Sequence, residues 1–169
     1  MTLLLLVTIL IGSFVLLSAG DRLMGIGRIG TSRRGQISLA LLFFFTGMGH
    51  FVQTGEMVEM LAPWVPARTG VIWASGVFEW LLALGLLTPR YSRFAGLGAI
   101  AFLVLVFPGN VYAAINRVEM GGHGAGPAYL LVRAPFQLLL IAWAYWFAVR
   151  KERGVSQTGP NRRRGCYTS

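Results

Sequence analysis

Five long apolar runs, separated by short polar stretches, organise the chain. They cover Thr2–Ala19, Gln36–Gln53, Gly70–Thr88, Phe94–Arg117 and Ala128–Val149. Each approaches or reaches the length of about 20 residues that a helix needs to cross the hydrocarbon core of a bilayer. The pattern predicts five membrane-spanning helices, the fourth kinked at Pro108.

Polar positions inside these runs break the pattern in a regular way. Glu79 sits in the middle of SGVFEWLLALGLL, where a carboxylate costs about 2.5–3.5 kcal/mol on insertion scales. A rise of about 1.5 Å per residue places Glu79, Asn110 and Gln137 roughly 11–13 Å below one membrane boundary, and His50 and Arg133 roughly 6–7 Å below it. Each belongs to a stripe of small or polar residues at helical spacing. The stripes are Thr46, Gly47, His50, Gln53 and Thr54; Ser75, Gly76, Glu79 and Ala83; Asn110, Ala113, Ala114 and Arg117; and Tyr129, Arg133 and Gln137. Small residues let helices approach and polar ones face protein. Four helices are therefore expected to turn these stripes toward one another, with Arg133 as the counter-charge of Glu79. Such a cluster either fixes which helices pack together or lines a functional pocket.

Composition agrees with a membrane protein: 55% of residues are hydrophobic and only 12% charged. The net charge of +9 does not point to nucleic acid, because the basic residues sit between the apolar runs and in the tail. Arg22, Arg28, Arg33, Arg34, Arg90, Arg93, Arg150, Lys151, Arg153 and Arg162–Arg164 fall on one side, and Arg68 and Arg117 on the other. The positive-inside rule then puts the N-terminus outside and the C-terminus in the cytoplasm. The first run lacks a basic leader and is followed by basic residues, so it reads as an anchor over residues 1–20 rather than a cleaved signal. Residues 150–169 read as a basic, disordered cytoplasmic tail.

Specific chemistry is sparse. The single cysteine, Cys166, excludes an intrachain disulfide and a CxxC pair. GIGRIG (Gly25–Gly30) lies between two membrane runs, so a dinucleotide fingerprint fails on context, and no P-loop, GxSxG or HExxH is present. GGHGAG (Gly121–Gly126) reads as a plain loop. Met48, Met57, Met60 and Met120 gather with His50 and His123 near one side, a soft donor set that suits Cu(I). EMVEML (Glu56–Leu61) reads better as an amphipathic surface helix, with Met57, Met60, Leu61 and Trp64 dipping into the interface, so no metal site is expected.

The ordered segments FFFTGMGHF (Phe43–Phe51), APWVP (Ala62–Pro66), SGVFEWLLALGLLTP (Ser75–Pro89), VFPGNVYAA (Val106–Ala114) and RAPFQLLLIAWAYW (Arg133–Trp146) together resemble the DoxX-like family of small integral membrane proteins. The resemblance covers about residues 36–149. It implies an all-α membrane protein: a DoxX-like four-helix transmembrane bundle, preceded here by one additional N-terminal transmembrane helix. It also implies a redox association, in a bacterial-type inner membrane, with quinone as the candidate ligand. His50, Asn110, Arg133 and Gln137 would then donate hydrogen bonds to a headgroup, Glu79 would relay a proton, and Phe78, Trp80, Phe107 and Tyr112 would pack a ring. The other reading is a non-enzymatic scaffold that binds lipid or a partner membrane protein. Whether the chain is an enzyme is open at this level.

Overall fold

The computed structural model describes residues 2–23, 30–118 and 123–150. The tail from residue 151 onward, most of GIGRIG, and Met120 lie outside them. The described chain is helical, with no strand among the described residues. Helices α1 (Thr2–Leu23), α2 (Thr31–Val52), α4 (Arg68–Leu87) and α5 (Ser92–Ile115) are long, and α3 (Thr54–Glu59) is a short connector. A fifth long element begins as a 3-10 turn at His123–Tyr129, continues as α6 (Leu130–Ala144) and ends in a π-helical segment, Tyr145–Val149. Among the described residues five elements are long and apolar enough to cross a membrane, as the apolar runs predict. α5 passes through Pro108 as one helix.

Polarity is distributed as lipid requires. Leu4, Leu16, Leu105 and Leu131 are each at least 74% exposed, whereas Ser38, Glu79, Ser92, Asn110 and Gln137 are buried. Water would penalise such a surface, and a bilayer would not. The interior is a column of Leu, Ala and Phe from α1, α2, α4, α5, α6 and the π-helical segment, with Leu10, Leu86, Ala99 and Ala144 fully enclosed.

The most extensive packing is between α2 and α4. Glycines make it possible. A Cβ on Gly76 would lie 2.8 Å from His50 Cβ and 3.0 Å from the Gly47 carbonyl oxygen. One on Gly47 would lie 2.6 Å from Trp80 Cδ1 and 3.0 Å from the Gly76 carbonyl oxygen. Two backbones this close leave no room for any side chain at the crossing. Trp80 seals its flank: the indole N–H donates to the Phe44 carbonyl at 3.2 Å, and the ring packs on Phe44 and Phe51.

The basic end of the bundle is tied by side chains to backbone carbonyls. Arg33 donates to the carbonyls of Leu86, at 2.9 Å, and Leu87, satisfying the C-terminus of α4. Ser32 and Gln36 both donate to the Phe147 carbonyl, at 2.7 and 2.9 Å, and the Trp143 indole N–H donates to the Gly35 carbonyl at 3.1 Å. Asp21 at the end of α1 pairs with Arg34 of α2. Phe14 of α1 packs edge-on to Trp143 and tilted against Phe147. Thus α1 is packed into the bundle along α2 and not merely attached to it.

Gly76→Ala is expected to destabilise the protein by about 1–3 kcal/mol, the usual effect of overfilling a packed interior. Gly12→Ala is the control, because its Cβ would meet only Thr8 Cγ2 at an ordinary 3.9 Å. Reversible unfolding in mixed micelles checks the contrast.

Candidate functional site

At the end opposite Arg33 and Phe147, the crossing of α2 and α4 aligns three polar side chains. Gly47 lies next to Thr46 and one turn from His50, and Gly76 one turn from Glu79, so the antiparallel helices bring these residues face to face. The Thr46 hydroxyl donates to Glu79 Oε2 at 2.5 Å. His50 Nε2 lies 3.4 Å from Glu79 Oε1. Its other ring nitrogen, Nδ1, is 3.1 Å from the Ile72 carbonyl oxygen. A carbonyl only accepts, so Nδ1 carries a hydrogen, and this bond fixes the ring with Nε2 toward the carboxyl.

α5 and α6 bring a second polar group. Arg133 Nε donates to Asn110 Oδ1 at 3.2 Å, and Asn110 Nδ2 donates back to the Val106 carbonyl at 3.2 Å. The Arg133 guanidinium lies over the Phe136 ring, 5.8 Å from its centroid. Its Nη1 is buried without a hydrogen-bond partner. Gln137, one turn further in, donates from Nε2 to the Leu103 carbonyl at 2.5 Å.

Between these groups lies a cavity of about 420 Å³, within the usual range of small-molecule sites. His50, Glu79, Asn110 and Arg133 line it together with Thr46 and Tyr129. Met57 of α3 and Met60 just after it also reach the cavity, and Leu3 and Leu6 of α1 form part of its apolar wall. Polarity changes with depth. Along α6 the lining runs Tyr129, Arg133, Phe136, Leu140; along α2 it runs Gln53, His50, Thr46, Phe43, Leu42. Along α5 it runs Asn110, Val106, Leu103, Phe102. On these three helices the polar residues stand at the same end, whereas along α4 the order is reversed, Val71 and Ile72 outermost and Ser75 and Glu79 deeper.

Several expectations need correction here. The direct partners of Glu79 are His50 and Thr46; Arg133 lies outside ion-pair distance of any described carboxylate and faces Glu79 as a counter-charge only from across the chamber. Residue counting put His50 and Glu79 in separate layers, but the side chains span the difference once the backbones touch. Gln137 shares the buried layer but is not among the cavity-lining residues, because its amide is turned to the α5 backbone. Phe78, Trp80, Phe107 and Tyr112 do not line the cavity; Phe43, Phe45, Phe102, Phe136 and Tyr129 do. Phe78 packs tilted against Phe102, and Trp80 guards the α2–α4 crossing. Met57 and Met60 line the cavity, while Met48 is exposed on the apolar surface. No group of three or more His, Cys, Asp or Glu suited to a metal occurs among the described residues.

A double-mutant cycle reads this wiring. Glu79→Gln with His50→Gln is expected to show a coupling of at least about 1 kcal/mol, as contacting residues do, and Glu79→Gln with Arg133→Gln a smaller one. Unfolding free energies of the single and double variants measure both.

Comparison with known proteins adds a family without a reaction. No curated protein matches this chain, and no solved structure matches it. A family model described as a domain of unknown function (DUF8561) matches residues 39–148, from the first half of α2 to the π-helical segment. That match takes in more than half of the chain and both halves of the polar cluster, and the chain belongs to this family.

Proposed function

We propose that the protein is a multi-pass membrane protein that binds a lipophilic molecule with a hydrogen-bonding headgroup in the α2–α4–α5–α6 cavity. The observation that carries this reading is the polarity gradient along three separate helices. An amphiphile has the same gradient: its head would meet Tyr129, Arg133, Asn110, His50 and Glu79, and its tail Phe136, Leu140 and Leu103. A cluster that served only to fix helix packing would not need an apolar chamber beneath it.

The DoxX-like resemblance supplies the candidate ligand, a quinone, whose carbonyls accept hydrogen bonds. His50 and Glu79 would then hold the proton-bearing side of the headgroup, and Arg133 with Asn110 the other. No reaction is assigned to the site. The positive-inside pattern orients the protein with the cavity's polar end toward the outside and the Arg33–Arg150 end toward the cytoplasm.

Two outcomes are expected. In nanodiscs, decylubiquinone should bind saturably, and Leu6→Trp, which fills the apolar wall from α1, should weaken it about tenfold or more, roughly 1.4 kcal/mol. Leu131→Ala on the lipid-facing surface should leave binding unchanged. Absence of saturable binding by any amphiphile would leave the cluster as a packing device only. Separately, the sole cysteine, Cys166, should react with a membrane-impermeant maleimide only after the cells are permeabilised.

A further inference from the structure

The two halves of the polar cluster are unequally satisfied. Glu79 has a partner at each oxygen, the Thr46 hydroxyl at Oε2 and the His50 ring at Oε1. Arg133 has one hydrogen-bond partner, the neutral amide oxygen of Asn110, and this partner takes Nε. Its Nη1 is buried without a hydrogen-bond partner, and the residue as a whole lines the cavity. A guanidinium is charged at any accessible pH, so it cannot avoid the cost of burial by losing its proton. Among the described residues no carboxylate lies within ion-pair distance of it, Glu79 acting on its charge only from across the chamber, and Glu119 lies outside the described residues.

Burying a permanent cation against a neutral acceptor is costly unless an anion completes the site. The guanidinium edge is a planar fork suited to two parallel bonds from one carboxylate. Its position also fits. Arg133 stands at the polar end of the cavity, and the apolar lining begins one turn deeper at Phe136 and continues to Leu140, Leu103 and Phe102. The chamber, about 420 Å³, is narrow for a two-chain phospholipid and suited to one chain.

Building on the lipophilic-ligand reading above, we propose that the cavity's ligand is a single-chain carboxylic acid whose carboxylate completes Arg133 while its chain fills the apolar chamber. Tyr129, which also lines the polar end, borders the headgroup.

The test uses the full-length protein in nanodiscs of zwitterionic lipid, with palmitic acid, methyl palmitate and decylubiquinone as probes. Palmitate is expected to bind at least about tenfold more tightly than its methyl ester, since only the acid offers the guanidinium a charge-assisted hydrogen bond. Arg133→Gln should erase that preference, and Arg133→Lys should restore part of it. The wild-type comparison of acid with ester decides the question even if the variants fail to fold. Equal binding of acid and ester, or tighter binding of decylubiquinone than of palmitate, would overturn the acidic headgroup and leave the lipophilic-ligand reading standing. Binding of none of the three would sink both.

Discussion

The Gly47–Gly76 contact sets the geometry of everything polar in this protein. In a bilayer no hydrophobic force drives helices together, so close backbone approach and buried hydrogen bonds must hold them. Here α2 and α4 touch backbone to backbone, with Cβ positions only 3.0 Å from the opposing carbonyl oxygens. That approach lets Thr46 reach Glu79, turns His50 onto the Ile72 carbonyl, and lets Trp80 close the flank. A larger residue at either position would separate the helices and open the carboxyl to lipid.

The second pair, α5 and α6, is organised by different means. There the helices are joined by amide and guanidinium bonds, Arg133 to Asn110 and Gln137 to the Leu103 carbonyl. Between the two pairs the interior does not close, and the cavity is what remains. Its polar rim draws on both pairs, so the charges of Glu79 and Arg133 share one chamber without forming a salt bridge. A direct bridge would have drawn the two helix pairs together across the chamber.

The opposite end of the bundle is built for rigidity. Ser32, Arg33, Gln36 and Trp143 spend their donors on carbonyls at the ends of neighbouring helices. The π-helical segment at Tyr145–Val149 presents the Phe147 carbonyl to two of these donors at once. Such an arrangement ties α2, α4 and α6 at one end, while the cavity occupies the other. α1 contributes to both: Asp21 and Phe14 join the tied end, and Leu3 and Leu6 wall the cavity.

By itself, the sequence determined the number and approximate limits of the apolar helices, because span length and hydropathy are local properties. It also determined that Glu79, Asn110 and Gln137 are buried, because polar residues on small-residue stripes have nowhere else to go in lipid. Partner choice was not local. Glu79 pairs with His50 rather than Arg133 because the close approach of α2 and α4 depends on Gly47 and Gly76 together, on two different helices, which no single stripe specifies. Gln137 and Arg133 are one turn apart on the same helix, yet one is turned to a backbone carbonyl and the other lines a cavity. The involvement of α1, the placement of Met57 and Met60, and the aromatic lining likewise arose only when the helices were assembled. Apolar surface is indifferent to its neighbour until shape decides which neighbour fits.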